Sequence, residues 1–309
     1  MDFTGLHEYS PKDKLIAFCK DAPVSSYLGG PPGGNQVYRI SDRAVVKFGY
    51  GVTEKEADNQ RRAYELVSRD IVRIPRVYRF FTDEEDVDTG YLVMEYIEGT
   101  VIEPLENPAY IEKVARVLAH FATLRGDIPG PLGGGPSRGL LWPENEDLSF
   151  ESVEAMEEWF NSRLLPHESK LSFASCELVL CHLDIAPRNL LWTKDGSLGL
   201  VDWASAGYYP RLFEFCTQWV IEGKDGKFNT LVLDAMENLS DREEAQKWPV
   251  LRAWSNHQRY YFRPVNPSRN VMLVSRPPET NTKRSPAPAP VILPPYPEEW
   301  LEQVKLNAQ

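Results

Sequence analysis

The sequence predicts an α+β fold, in which a small antiparallel sheet with one helix precedes a mainly helical half. In the N-terminal third, short apolar runs alternate with Gly, Pro and Asp turn signals, as is typical of hairpins. From residue 108 onward, apolar residues recur at helical spacing. The chain has 309 residues, of which 42% are hydrophobic and 26% charged, enough for a substantial packed core.

The N-terminal third begins with a Gly/Pro-rich loop at 25–36 (SSYLGGPPGGNQ). Two apolar runs at 37–40 and 44–48 flank a Ser-Asp-Arg turn and predict a hairpin. Thr53, followed three residues later by Glu56, forms a capping box, so a helix is expected to run from there to about residue 68. A strand around the IVRIPRVYRFF stretch and another at YLVMEYI complete the predicted sheet.

The second half is predicted to be mainly helical, with a few short strands. Residues 108–125 place apolar side chains at helical spacing, and 151–165 is a second candidate helix. A Gly/Pro-rich loop at 126–143 lies between them. Three short strands are predicted next, the last two joined by a Lys-Asp-Gly turn: 178–182, 190–192 and 198–202.

The C-terminal stretch is dense in proline at 263–297, which predicts an extended strap, and a short amphipathic helix is expected at 298–307. We therefore expect three parts, namely an N-terminal lobe at 1–97, a C-terminal lobe at 98–262 and a Pro-rich strap at 263–309.

Charge and composition restrict the possible partners. The net charge of −11 argues against binding of nucleic acid or an anionic membrane, both of which need a basic face, and a small cationic substrate would suit it better. The N-terminus is polar and no apolar stretch reaches membrane-spanning length, so a soluble cytoplasmic protein is expected. The sequence leaves the oligomeric state open.

The most informative stretch is CHLDIAPRNLLWTKDGSLGLVDWASAG at 181–207. It contains His-x-Asp, then an Asn, then a tight hairpin whose second strand leads to an Asp. Phosphoryl transfer needs a carboxylate beside the acceptor hydroxyl and hard oxygen ligands for Mg²⁺. Asp184 suits the first role, and Asn189 and Asp202 suit the second. These residues could instead cap a turn, a loop and a strand, but their order and spacing favour the functional interpretation.

With these motifs, residues 25–220 resemble the aminoglycoside phosphotransferase and choline kinase-like family of the protein-kinase superfamily, most closely its fungal phosphotransferase-family members. The resemblance implies a protein-kinase-like two-lobed fold, with ATP and Mg²⁺ bound in the cleft between the lobes. Lys47 in AVVKFG then corresponds to the lysine that holds the α and β phosphates. Glu56 corresponds best to the helix glutamate that pairs with this lysine, although the capping box competes for the same side chain and Glu65 is an alternative.

The resemblance also implies further contacts around the nucleotide. The hinge would use backbone groups of Glu95 and Ile97, with Met94 at the back of the pocket. In the glycine-rich loop, Pro31 and Pro32 lack N–H groups, so the remaining phosphate donors follow them. These donors are Gly33, Gly34, Asn35 and Gln36.

Two residues of the catalytic stretch have less direct roles in the resemblance. His182 corresponds to a structural histidine that braces the catalytic loop. Arg188 could reach the transferring phosphate or the substrate, or could form a surface salt bridge.

Departures from the protein-kinase pattern favour a small-molecule acceptor. Leu183 replaces the arginine that senses activation-loop phosphorylation in many protein kinases, Trp203 and Ala204 follow Asp202, and no Ala-Pro-Glu element is present. The predicted function is ATP-dependent transfer to a hydroxyl of a small molecule. A protein kinase, which DIAPRN supports, and an inactive kinase-like scaffold are the alternatives.

The acceptor pocket is expected in the helical half, because any hydroxyl that Asp184 activates must lie within hydrogen-bond reach. The predicted walls are the loop at 126–143, the helix at 151–165 and four aromatic side chains that could instead be simple core. These are Trp203, Tyr208, Trp219 and Tyr260.

Overall fold

The computed structural model describes residues 6–31, 33–143, 146–174, 176–221 and 224–260. These residues form two compact units, one of residues 6–152 with 176–239 and one of residues 153–174 with 240–260. The predicted strap and C-terminal helix lie outside the described residues. The predicted lobe boundaries stay predictions.

The first unit contains a five-stranded antiparallel sheet with the strand order β1-β2-β3-β5-β4. The hairpin and the two later strands that the sequence predicts are confirmed, and an edge strand lies inside the Gly/Pro-rich stretch. The strands are β1 (Tyr27–Gly29), β2 (Gln36–Arg39), β3 (Ala44–Gly49), β4 (Val77–Thr82) and β5 (Gly90–Glu95).

A helix covers each face of this sheet. Helix α1 (Lys12–Lys20) packs Leu15 against Val46, while α2 (Glu54–Leu66) packs Ala57 against Val45. Successive side chains of a strand point to opposite faces, so the two valines lie under different helices. The sequence analysis did not predict α1, whose run of nine residues, KDKLIAFCK, buries only two side chains.

Four stacked aromatic rings cross the α1 side of the sheet, one from each of the strands β2, β3, β5 and β4. Neighbouring ring centroids are 5.7, 5.6 and 5.1 Å apart, within the range in which aromatic pairs add stability beyond their buried area. In spatial order the rings are Tyr38, Phe48, Tyr91 and Phe81.

The rest of the first unit carries the catalytic stretch. Strand β6 (Gly99–Thr100) follows the predicted hinge, and α3 (Pro108–Phe121) occupies the first part of the predicted helix. Helix α4 (Val153–Ser162) belongs to the second unit. The remaining elements of the first unit are β7 (Gly130–Pro131), β8 (Leu178–Cys181), β9 (Leu190–Thr193), β10 (Leu198–Leu200), β11 (Gly207–Pro210), α5 (Leu212–Val220) and α6 (Phe228–Ala235). Small sheets join β10-β9-β6 and β7-β11-β8.

The second unit consists of α4 and α7 (Asp241–Arg259) with their adjoining segments. Helix α4 lies within the predicted range of 151–165 and is shorter than it. Helix α7 begins with a complete capping box, in which Ser240 and Glu243 bond to each other's backbone N–H groups. None of the described helices is long and apolar enough to cross a membrane.

Candidate active site

The β9–β10 hairpin brings the predicted metal ligands together. The N–H of Val201, next to Asp202, donates a hydrogen bond of 3.1 Å to the carbonyl of Asn189. The hairpin therefore places Asn189 and Asp202 side by side at one end of its sheet, although they are 13 positions apart in the sequence. The predicted strand at 198–202 ends earlier, at Leu200, so Asp202 lies beyond it.

Two non-glycine residues of this site have left-handed backbone conformations. Leu183, between His182 and Asp184, has φ of 63°, and Asp202 has φ of 65°. Such conformations cost free energy for residues with a Cβ, and they persist only where the surroundings hold them. They are the only two among the described non-glycine residues, and both adjoin or belong to the predicted catalytic set.

Lys47 joins the sheet, helix α2 and the end of the hairpin. Its Nζ lies 2.6 Å from Oε1 of Glu56 and 3.0 Å from Oδ1 of Asp202. The predicted Lys47–Glu56 ion pair is thus confirmed. Thr53 still caps α2 by accepting the N–H of Glu56, but the Glu56 carboxylate turns to Lys47 and does not complete a capping box.

Electrostatics keeps Lys47 and Asp202 charged. Burial by itself would lower the pKa of Lys47, but Glu56 and then Asp202 outweigh that effect, and the net pKa lies above the ordinary value. Burial raises the pKa of Asp202, but the charge and hydrogen bond of Lys47, with His182 and Arg188, together outweigh it, so the net shift is downward. An ammonium and a carboxylate therefore face each other at neutral pH.

Both carboxylate oxygens of Asp184 are engaged. Oδ1 accepts a hydrogen bond from Arg188, and Oδ2 accepts one of 2.8 Å from Nδ2 of Asn189. Nδ2 of Asn189 also donates to the Asp184 carbonyl at 2.9 Å, so its amide oxygen Oδ1 is the atom left for a metal. Arg188 also lies 3.9 Å from Asp225, which the sequence analysis did not single out.

The pKa of Asp184 is shifted in the opposite direction to that of Asp202. Burial raises the pKa of Asp184, and the opposing effect of Arg188 is smaller. A carboxyl whose pKa moves toward neutrality is a better proton acceptor than one whose pKa is depressed. The two carboxylates therefore have environments suited to different roles, one to proton transfer and one to holding a cation.

The glycine-rich loop is braced by its own backbone and by Asn35. The N–H of Gly34 donates to the Pro31 carbonyl at 3.0 Å, so it is already used within the loop. The side-chain oxygen of Asn35 accepts the N–H of Gly51. A Cβ at Gly30 would lie 2.0 Å from the carbonyl oxygen of Asn35, so this turn needs glycine. The phosphate contacts predicted for Gly33, Gly34 and Asn35 stay predictions.

The predicted hinge follows β5. Met94 is buried behind α2, where its sulfur contacts the amide of Gln60 at 3.3 Å. The N–H of Glu95 donates to the Arg76 carbonyl within the sheet. Within the described residues, the N–H of Ile97 has no hydrogen-bond partner, as a donor to an adenine edge requires.

Two side chains of helix α5, neither of them predicted from the sequence, bond to the backbone on either side of Asp184. Oε2 of Glu214 accepts the N–H groups of His182 and Leu183, at 2.8 and 3.1 Å. One turn later, Gln218 donates to the carbonyl of Ile185 at 2.9 Å. The sequence did contain a signal that could have identified Glu214, namely a single carboxylate inside the apolar run LFEFC. A charged residue in such a run is expected to be buried and therefore to need a specific partner.

His182 has a structural setting. Its imidazole is fully buried and packs edge-on against Trp203, with ring centroids 4.8 Å apart. Burial lowers its pKa to about 4, so the ring is neutral at physiological pH.

Trp203 is a core residue. It is fully buried, donates its indole N–H to the Leu200 carbonyl and packs against Phe121. The prediction that Trp203 lines the acceptor pocket is therefore wrong, because large rings next to a buried strand pack inward. Tyr208 is half-buried and Tyr260 is exposed, and their predicted role in binding stays a prediction.

Solved structures with this fold include an aminoglycoside phosphotransferase, APH(4)-Ia. It is 15% identical to this chain, with a TM-score of 0.53, and the match covers 80% of this chain and 89% of that one. A thermostable mutant of the same enzyme, in a ternary complex with ADP and hygromycin B, matches with 15% identity and a TM-score of 0.51, over 79% and 88% of the two chains. The fold is therefore the protein-kinase-like two-lobed fold.

A family model described as the phosphotransferase enzyme family matches residues 32–254, well over half of the chain. The protein belongs to this family and is a kinase-type phosphotransferase. A search of curated proteins found no significant match. The family match confirms the resemblance that the catalytic stretch indicated.

Proposed function

We propose that this protein transfers the γ-phosphoryl group of ATP to a hydroxyl group of a small molecule. One observation carries the proposal, namely that Lys47 bridges Glu56 and Asp202 while Asp184 and Asn189 bond to each other beside the same hairpin. These groups are the ones that phosphoryl transfer requires, since it depends on positioning and on charge stabilisation. The ternary complex of the related phosphotransferase, which contains ADP, supports nucleotide binding.

The donor set fits Mg²⁺. Asp202 offers a carboxylate, and Asn189 offers an amide oxygen, both hard oxygen ligands. Among the described residues, no group of three or more His, Cys, Asp or Glu side chains could hold a metal by itself. Mg²⁺ usually takes one or two protein ligands and completes its shell with phosphates and water, so this small set suits it. When bound, the ion would neutralise charge on the nucleotide phosphates.

Asp184 would orient the acceptor and take its proton. As the acceptor oxygen bonds to phosphorus, the bond from phosphorus to the bridging oxygen of ADP breaks, and the hydroxyl proton passes to Asp184. Each carboxylate oxygen can accept two hydrogen bonds, so an acceptor hydroxyl can bind Oδ1 beside Arg188 while Asn189 holds Oδ2. Lys47 would grip the α and β phosphates, with Glu56 holding its flexible stem.

A small molecule is the favoured acceptor. The departures after Asp202 and at Leu183 disfavour peptide recognition, and the related phosphotransferase binds hygromycin B. An acceptor with amino groups would suit the acidic chain, whose net charge is −11. Neither feature identifies the molecule, so a broad panel is the appropriate test.

The test incubates the full chain with radiolabelled ATP and Mg²⁺, using panels of aminoglycosides, amino alcohols, sugars and proteins. We expect label on a small hydroxylated compound, and none with Asp184→Asn, which keeps the size of the side chain but cannot accept the proton. Label on a protein that depends on Asp184 would favour the protein kinase. Binding of ATP without transfer to any acceptor or to water would favour the scaffold.

A further inference from the structure

A buried amide on α2 connects three parts of the proposed machinery. Asn59 is only 1% exposed and lies one turn after Glu56. Its Nδ2 donates to the carbonyls of Trp203 and Ala204, at 3.1 and 3.3 Å, directly after Asp202. Its Oδ1 accepts the N–H of Gly133 at 2.8 Å. Both ends of one side chain are therefore bonded to backbone groups.

The segment around Gly133 is pressed against α2. A Cβ at Gly133 would lie 2.4 Å from the Cβ of Asp58 and 3.1 Å from the backbone nitrogen of Asn59. On its other side, the same segment pairs with the chain after Asp202, where the N–H of Leu132 donates to the Ala206 carbonyl and β7 pairs with β11. The loop around Gly133 thus lies between α2 and the segment that follows Asp202. Asn59, on α2, bonds both to this loop and to that segment.

We infer that Asn59 is a positioning residue for phosphoryl transfer, which couples the segment that follows Asp202 to α2 and to the loop around Gly133. The inference rests on the proposed function. A primary amide has two donor hydrogens on nitrogen and an acceptor oxygen, so only one arrangement of the three backbones satisfies all three bonds. If the segment after Asp202 shifted relative to α2, buried carbonyls would lose their donor, at a cost in free energy.

The coupling has a chemical consequence. Helix α2 carries Glu56, which holds Lys47, and Lys47 contacts Asp202. Asn59 adds a second connection through the backbone. Helix α2 is thus linked to Asp202 through the Lys47 side chain and through the carbonyls of Trp203 and Ala204. Displacement of a reacting group by about 1 Å can reduce the rate about 100-fold, which makes the turnover sensitive to this amide.

Two substitutions separate the contacts of Asn59. Asn59→Leu removes all three hydrogen bonds at similar volume. Asn59→Asp keeps an oxygen for Gly133 but loses both donors, and its carboxylate faces two carbonyl oxygens. Asn256→Leu is the control, since Asn256 is also buried and donates to the Arg163 carbonyl, but lies in the second unit.

The measurements are single-turnover hydrolysis of MgATP with water as acceptor, the Kd for MgATP by calorimetry, and amide hydrogen exchange of residues 130–135. We expect Asn59→Leu to lower the hydrolysis rate about 10- to 100-fold with a change in Kd below about threefold. Exchange at Gly133 should become faster, because its N–H loses the Asn59 oxygen. Asn59→Asp should lose rate while Gly133 stays protected, and Asn256→Leu should lose thermal stability only.

A parental hydrolysis rate in Asn59→Leu, or an equal loss of rate in Asn256→Leu, would overturn the inference while the proposed function stands. If Asn59→Leu does not fold, the rate and Gly133 exchange of Asn59→Asp decide. If the parent neither binds nor hydrolyses MgATP, the proposed function fails. In that case, exchange at Gly133 in the ligand-free variants still tests the anchoring role. Unchanged exchange in Asn59→Leu, or exchange faster than the parent's in Asn59→Asp, would contradict it.

Discussion

Under the proposed function, the individual residues of the site divide into groups that would serve the nucleotide and groups that would serve the acceptor. Lys47 and Asp202 form a charged pair whose pKa shifts keep both ionised, whereas burial raises the pKa of Asp184. Lys47 is buried, with only 8% of its surface exposed, whereas the Asp202 side chain is partly exposed. Removal of one partner of such a pair leaves the other without compensation, so substitutions here should have distinct consequences.

Asp202→Ala should weaken MgATP binding by at least about 10-fold, because it removes a metal ligand and one partner of Lys47. Asp184→Ala should bind MgATP nearly as tightly as the parent, because Asp184 serves the acceptor. Calorimetry with and without Mg²⁺ measures both. If Asp202→Ala binds MgATP as the parent does, the assignment of the metal ligand is wrong.

Glu56→Gln should lower the rate of phosphoryl transfer, since Lys47 would lose the carboxylate that orients it. Lys47→Met should do the same, and the double substitution should cost little more than either alone, because the two residues act as a unit. A double-mutant cycle on the transfer rate measures this coupling. Arg62→Ala, an exposed change on the same helix, is the matched control. Fully additive effects would contradict the ion pair's role.

At the scale of elements, α5 serves as a support for a strained loop. Glu214 and Gln218 lie one turn apart on its buried face and bond the backbone from His182 to Ile185. Leu183, inside this segment, has the left-handed conformation. A strained backbone conformation persists only where the surroundings fix it. The bonds from Glu214 and Gln218 can hold Leu183 in its left-handed conformation.

The buried Glu214 predicts a pH dependence of stability. Burial raises its pKa to about 7 from 4.5, so the folded protein binds more protons than the unfolded chain between these values. The contribution of Glu214 to stability therefore falls as the pH rises from 4.5 to 7, and is unaffected by pH below that window. Glu214→Gln should remove this dependence, because it has no titratable proton.

Chemical denaturation of parent and Glu214→Gln across this pH range measures the effect. The difference in the free energy of unfolding should change in favour of the variant as the pH rises, by at most about 1.4 kcal/mol per pH unit. Burial lowers the pKa of His182 and Glu214 is not among the causes of that shift, so the contribution of His182 should cancel in the difference. A difference that does not vary with pH would show that Glu214 is ionised throughout.

At the scale of the whole molecule, the excess of acidic over basic residues bears on the choice of acceptor. There are 45 Asp and Glu against 34 Lys and Arg, giving the net charge of −11. A field of this sign attracts cations and raises their rate of association, and salt screens it. The effect acts on any acceptor that carries amino groups, whatever the detailed shape of the pocket.

For an acceptor with several amino groups, kcat/KM should fall as the ionic strength rises from low salt to about 0.3 M, where the Debye length is well below about 10 Å. A neutral acceptor, such as a sugar, should show little change. Initial rates at subsaturating acceptor measure this, with MgATP saturating in both series. An equal response of charged and neutral acceptors would show that the chain's charge does not steer the acceptor.

The sequence by itself determined the α+β class, most of the sheet and the spacing of the catalytic stretch. These features follow from local patterns, such as the apolar run at β3, the turn between β9 and β10 and the interval from Asp184 to Asn189. The helix α1 escaped prediction, because its nine residues bury few side chains and tertiary packing on the sheet stabilises it.

Only the tertiary structure decided which partner each polar side chain takes. The Glu56 carboxylate bonds to Lys47 and not to its own helix terminus, and Trp203 is buried in the core. Asn59 bonds to the backbone after Asp202, and Glu214 bonds to the backbone at His182 and Leu183. The physical reason is separation along the chain. Lys47 and Asp202 are 155 residues apart, and Asn59 lies 144 residues from Trp203. Local patterns act over a few residues, whereas these bonds exist only after distant segments have packed together.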